Sequence, residues 1–204
     1  MSAAPSPYEA RVRAWSSTER WRVEAAALLD ALDLQHGADV LDVGMGSGSL
    51  RPLMESRALR HFGLDRWEGW SARADCGTGC VQADAARLPF ANATFDAVIL
   101  HHVFAHLSDA DVALGEARRV LRRGGRLGIA TPNAAWLRTM AIPSFLAGYR
   151  KDPTVMRHVT LRSLVSRVTL AEFRVVEACS WGRMPPLLPW PGLRERLLLV
   201  AEAA

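Results

Sequence analysis

The feature that most limits what this chain can fold into is a short apolar run, Asp39-Val-Leu-Asp-Val43. It follows the breaker Gly37 and leads into glycines at alternate positions, Gly44-Met-Gly46-Ser-Gly48. A helix is expected to begin near Ser49. A strand, a bare turn and a helix in that order form a ligand cradle. Residues without Cβ take positive φ, and the exposed N–H groups and helix N-terminus point at whatever lies against them. Two nucleotide motifs fail on spacing. Counting G-x-G-x-x-G from Gly44 or Gly46 puts Ser49 or Arg51 where the third glycine should stand, and the Gly-Lys-Ser/Thr of a P-loop is absent.

The remaining periodicity extends this into a layered fold. Ser17 or Thr18 can cap a helix that carries Trp21, Ala25, Leu28, Leu29 and Leu32 on one face. Further strands are expected at 61–65, 79–83, 95–100, 126–131, 173–180 and 196–202. Helical patterns separate most of them. Ser108 would cap one that runs to Arg122 and stops at Gly124-Gly125, and another runs from Thr160 to about Leu170. Alternating elements imply a mostly parallel sheet covered on both faces. The proline-rich stretch from Trp181 to Leu193 leaves no room for a crossover helix, so the final pair should be antiparallel. The expected architecture is α/β, a Rossmann-like three-layer sandwich on a seven-stranded sheet whose last strand is antiparallel.

Composition narrows the class. With 204 residues, half of them hydrophobic, the chain suits a single domain spanning 1–204. It holds no 18-residue apolar stretch, and Met1 to Tyr8 lacks the basic and apolar parts of a leader, so a soluble cytoplasmic protein without a membrane span is expected. Cys76, Cys80 and Cys179 are an odd count and suggest no disulfide framework, and the spacing of Cys76 and Cys80 is wrong for a metal pair, so no metal is expected. Net charge is +4, but 24 of the 25 basic residues are arginine. The tightest cluster, Arg118, Arg119, Arg122, Arg123 and Arg126, falls at a helix end, where it would complement the dipole. No aromatic residues interleave with it, which argues against nucleic acid as a partner.

At this point the chain resembles the class I S-adenosylmethionine-dependent methyltransferases, in their small-molecule branch. Five segments in order carry the likeness: Val40-Leu-Asp-Val-Gly-Met-Gly-Ser-Gly48, Gly63-Leu-Asp65, Ala83-Asp84-Ala-Ala-Arg-Leu-Pro-Phe90, the run from Phe95 to Leu107, and the run from Arg119 to Asn133. The resemblance implies S-adenosyl-L-methionine as cofactor. It assigns Asp65 to the ribose hydroxyls, with Arg66 beside it, and Asp84 with Ala85 to the adenine, with Met45 and Leu88 as apolar walls. Asp42 would face the cationic methionyl end, and Gly44, Gly46 and Gly48 would form the turn beneath it. His101 is expected to line the methionyl or acceptor pocket, with His102 as its neighbour.

Methyl transfer from a sulfonium needs mainly alignment, so no catalytic residue is obligatory. A histidine near neutrality could take a proton from a phenol, hydroxyl or amine, which makes His101, His106 and His158 the catalytic candidates. His36 and His61 read as structural. The small-molecule acceptor would meet an N-terminal lid segment (1–17), an acceptor-site insertion (134–160) and the 181–190 loop. Their Trp15, Trp136, Phe145, Tyr149 and Met156 suggest an apolar or aromatic molecule. Only fifteen residues separate Asp65 from Val81, so the helix usual there must be short, leaving Trp67 or Trp70 to cover the adenosine. Two rivals stand beside this reading: a non-catalytic S-adenosylmethionine-binding or regulatory module, and a nucleotide-dependent oxidoreductase, which the glycine spacing disfavours.

Overall fold

A computed structural model describes residues 7–67, 79–135, 154–182 and 194–203. Its elements are α1 (Pro7–Ser16), α2 (Glu19–Ala31), β1 (Asp39–Val43), α3 (Arg51–Glu55), β2 (Arg60–Asp65), β3 (Cys80–Gln82), β4 (Phe95–His101), a 3-10 turn (Phe104–His106), α4 (Ala110–Val120), β5 (Leu121–Pro132), α5 (Leu161–Leu170), β6 (Phe173–Trp181) and β7 (Arg196–Ala203). Seven strands form one sheet in the order β3-β2-β1-β4-β5-β7-β6. The first five run parallel, and β7 enters between β5 and β6 antiparallel to both. This is the expected three-layer α/β architecture.

The strands read as continuous apolar runs because both faces are covered. All five residues of β1 are buried. On one face Leu41, Val98, Leu127 and Leu199 meet α4 and α5 through Leu114, Leu164 and Val168, and on the other Val40, Ile99 and Val200 meet Trp21, Leu28 and Met54 of α2 and α3. Each fully buried leucine contributes about 2 kcal/mol of transfer free energy to holding these layers together. Gly128 marks how close the second layer lies, since a Cβ there would come within 3.2 Å of both Leu28 and Leu32.

Element boundaries follow from capping. Of the two residues offered for α2, Thr18 is the cap, its hydroxyl accepting the Trp21 N–H. Thr160 caps α5 in a reciprocal box with Ser163. The cap of α4 is Asp109, not Ser108, because its carboxylate accepts the N–H groups of both Asp111 and Val112. That helix also ends before Arg122 and before the Gly-Gly pair. Leu121 already pairs with Phe95 of β4, and the residues up to Arg126 form an irregular start to β5. Just past the helix, Arg122 binds Asp96 at 2.5 Å and Asp39 at 3.3 Å. Arg119 likewise binds Glu116 and the carbonyls of Leu88 and Phe90, so these arginines staple loops as well as facing a helix end.

Cys80 is disulfide-bonded and Cys179 is a free thiol. That corrects the expectation of no disulfide, since an odd count leaves room for one bridge beside one thiol. No helix among the described residues is long and apolar enough to cross a membrane. Trp70, Cys76, Trp136, Phe145, Tyr149 and most of the 181–190 loop lie outside the described residues.

Candidate functional site

The parallel strands deliver their C-terminal ends to one edge of the sheet, and the glycine turn sits there. Gly44, Gly46 and Gly48 all have positive φ, at +74°, +53° and +76°. The N–H groups of Gly44 and Met45 both donate to the Leu64 carbonyl, at 2.7 and 3.0 Å, which pulls the turn onto the end of β2. A Cβ on Gly44 would lie 2.4 Å from Val103 Cγ2. Met45 is buried over Gly63, where an added Cβ would fall 2.2 Å from its sulfur, so the glycine of Gly63-Leu-Asp65 makes room for this side chain.

Asp65 closes the turn from the β2 side. Its Oδ2 accepts the Gly46 N–H at 3.0 Å and its Oδ1 the Trp67 N–H at 2.9 Å. Burial pushes its carboxyl up from the ordinary value, the Trp67 and Gly46 amides pull against that, and the nearby Asp42 charge adds to the rise. Asp42 is 1% exposed and lies 3.4 Å from His61 Nε2. His61 thus stands behind the cradle's acid.

Asp84 follows β3 at the same edge. It is exposed, and its Oδ1 accepts the Ala86 N–H in a tight turn that presents Ala85 and Leu88 as buried neighbours. Asp42, Gly44, Met45, Gly46, Asp65, Arg66, Asp84, Ala85, His101 and His106 line a single cleft of about 970 Å³. Gly48 is absent from its walls; it turns the chain, its N–H donating to the Met45 carbonyl. His158 is exposed and is not among the cleft's walls. Val12, Trp15 and Ser16 of α1 lie along the cleft, with Ser16 and Ser49 hydrogen-bonded at 3.0 Å. Opposite them stand Thr154, Val155 and Met156, and His106 Nδ1 is 2.8 Å from Thr154 Oγ1.

Both histidines at the end of β4 face this cleft, but they differ. His101 is the strand's last residue, edge-on to Trp21 at 5.1 Å, and its buried Nε2 has no hydrogen-bond partner. Burial holds its imidazole down to about 3, helped by His102. His102 takes φ +58°, a left-handed conformation uncommon outside glycine. Its Nε2 lies 2.6 Å from Glu24 Oε1, and burial also pushes its imidazole below the ordinary value.

Sequence reading missed Glu24 and Arg196. Glu24 is 2% exposed, on the apolar face of α2. Burial alone would raise its carboxyl, but His102 and Arg196, whose Nε is 3.3 Å from Oε2, bring it to about 2. Arg196 also stands over the Trp15 ring and beside Glu195, which in turn pairs with Arg20. The signal was present: a charge three residues after Trp21 and four before Leu28 falls inside a stripe that should be apolar.

Residues 41–129 match the family model described as a methyltransferase domain. The chain is similar to a demethylmenaquinone methyltransferase of Thermobifida fusca, 34% identical over 58% of this chain and 52% of that protein. One from Corynebacterium urealyticum is 38% identical over 59% of this chain and 50% of that protein. The chain spans about half the length of these curated relatives. Among solved structures, a putative methyltransferase from Bacillus halodurans superposes with a TM-score of 0.73 at 18% identity, covering 89% of this chain and 99% of that one. An S-adenosylmethionine-dependent methyltransferase from Aquifex aeolicus gives 0.72 at 17% identity, covering 96% and 98%.

Proposed function

From the likeness of this chain to the class I S-adenosylmethionine-dependent methyltransferases, we propose that its cleft binds S-adenosyl-L-methionine and presents the methyl group to a small apolar or aromatic acceptor. The observation that supports this most directly is the convergence of three carboxylates and a bare turn on one cleft: Asp42 and Asp65 at the tips of β1 and β2, Asp84 just past β3, and the left-handed glycines between them. The donor chemistry fits. Asp65 and Asp84 are acceptors for ribose hydroxyls and an exocyclic amine, Met45 and Ala85 are apolar walls for a purine, Leu88 is buried in the core and does not line the cleft, and Asp42 is a buried anion for a cationic methionyl end. The bound cofactor supplies an activated methyl group on a sulfonium, with a neutral thioether as leaving group.

The chain's own residues orient and shelter. Asp65 is fixed by the Gly46 and Trp67 amides, so it meets a ligand already aimed. Trp15 and Ser16 from α1 roof the cleft, which suits the N-terminal segment to a lid, and Met156 and Val155 offer an apolar wall where the acceptor would lie. Because curated relatives are demethylmenaquinone methyltransferases, a quinol is the first acceptor to try. The test is calorimetric titration with S-adenosylmethionine and S-adenosylhomocysteine, then a screen for S-adenosylhomocysteine release led by demethylmenaquinol. Binding of both nucleosides with micromolar affinity and release dependent on an acceptor are expected. Absence of binding sinks the reading.

A further inference from the structure

Glutamate is rarely buried on the apolar face of a helix, and an L-residue seldom adopts a left-handed backbone; here both exceptions meet. Glu24 and His102 face each other at 2.6 Å in the wall of the cleft. We propose that they form a proton-accepting dyad: His102 takes the proton of the methyl acceptor, and Glu24 is the positioning residue that fixes its tautomer. The inference rests on the methyl-transfer reading and deepens it.

The assignment of protons follows from chemistry. Against the pull of burial, His102 at 2.6 Å and the Arg196 guanidinium at 3.3 Å hold the Glu24 carboxyl down, so both its oxygens only accept. The Nε2 of His102 must therefore carry the hydrogen and donate it. The lone pair is then on Nδ1, which has no hydrogen-bond partner among the described residues, in a ring that lines the cleft. The left-handed backbone sets where that ring stands. His102 N–H donates to the Ala130 carbonyl at 2.8 Å, and the next residue, Val103, touches Gly44 of the glycine turn. The base is thus one residue away from the bend that would carry the methionyl end. Trp15, edge-on at 4.4 Å, and His101, at 4.7 Å, hold the ring from the sides.

In the step, an acceptor hydroxyl loses its proton to His102 Nδ1 as the nucleophilic atom X, the hydroxyl oxygen or, in demethylmenaquinol, the ring carbon conjugated with it, attacks the methyl carbon. The X–C bond forms, the S–C pair returns to sulfur, and the imidazolium that results is balanced by the Glu24 carboxylate. A metal ion is the competing use of these groups, since ligand atoms of Glu24, His101 and His102 lie within 4.8 Å of one another. The Arg196 guanidinium on Glu24 opposes a second cation there.

The experiment uses the full chain with ring-¹⁵N histidine, as wild type, E24Q and H102N. Asparagine suits position 102 because it tolerates the left-handed backbone yet has no basic nitrogen. Nitrogen shifts of the protein alone should show His102 neutral at pH 7 with Nε2 protonated, and E24Q should mix the tautomers. With demethylmenaquinol as acceptor, kcat should fall about 100-fold or more in H102N and less in E24Q, while KM for S-adenosylmethionine stays within twofold. A protonated Nδ1 in the wild type, or H102N turnover within twofold of wild type, overturns the dyad. So does one-to-one zinc binding that both E24Q and H101N abolish. If the wild type binds S-adenosylhomocysteine but releases none from demethylmenaquinol, the choice of acceptor fails, and the nitrogen shifts still judge the dyad.

Discussion

The two walls of the cleft are built on different physical plans. The β1–β2 wall is made of backbone: left-handed glycines, amides donated to Leu64 and to Asp65, and a methionine laid over a glycine. The wall formed by α2, the end of β4 and the start of β7 is made of buried charge, with Glu24, His102, Arg196 and Glu195 paired as opposite charges away from water. The first plan stores its specificity in conformation and the second in electrostatic pairing. Substitutions should therefore fail differently on the two sides.

The largest effect is expected where charge is buried. Glu24→Ala leaves Arg196 and His102 facing an empty site, and should cost about 4 kcal/mol of stability in urea unfolding, against a far smaller loss for the isosteric glutamine. If alanine and glutamine cost the same, the wall is ordinary packing. Next comes Gly44→Ala, with a Cβ driven into Val103 and an unfavourable φ. It should lose about 3 kcal/mol and show it mainly as weakened S-adenosylhomocysteine binding in calorimetry. Retained affinity would mean that the bend is not the recognition element.

The acid response sharpens the contrast. His101 is held down to about 3 when folded against 6.5 when unfolded, so the unfolded chain binds the extra proton between these values. Stability contributed by the neutral ring is full above pH 6.5 and falls as pH drops, by about 1.4 kcal/mol per unit for each imidazole so affected. Glu24, held at about 2 against 4.5, adds a further loss below pH 4.5. Unfolding free energies at pH 7 and pH 5 should differ by about 2 kcal/mol in the wild type, with the slope reduced in H101N; an unchanged slope contradicts burial of the neutral ring. The smallest effect belongs to the conformational wall. Asp65→Asn should leave the melting temperature within a few degrees yet weaken S-adenosylhomocysteine binding about tenfold or more, through lost charge-assisted hydrogen bonds.

The same contrast explains what sequence could reveal. Periodicity placed β1 at Asp39–Val43 and the other strands within a few residues, because a sheet covered on both faces writes itself as apolar runs. The conformational wall was equally legible, since glycine spacing, Asp65 and Asp84 are local patterns at strand ends. The charged wall joins α2 to β4 and β7 through contacts between residues remote in the chain, so no window contains it. Histidine pairs read one at a time gave His101 as the more promising, whereas His102 is the one with a charged partner. The early start of β5 was missed for a similar reason, since Arg122 pairs with Asp39 and Asp96, both remote in the chain, whereas Asp109 rather than Ser108 as the cap is a local choice between two adjacent capping residues.

The antiparallel entry of β7 has a consequence for the order in which the molecule can be completed during synthesis. Because β7 runs against its neighbours, its first residues, not its last, reach the sheet edge that holds the cleft, and Arg196 arrives beside a glutamate translated long before it. A nascent chain that stops short of β7 could already bend its glycine turn while Glu24 still lacks its guanidinium. The pocket is thereby finished by two segments remote from each other in the chain, α2 and β7, and the later one acts as its keystone.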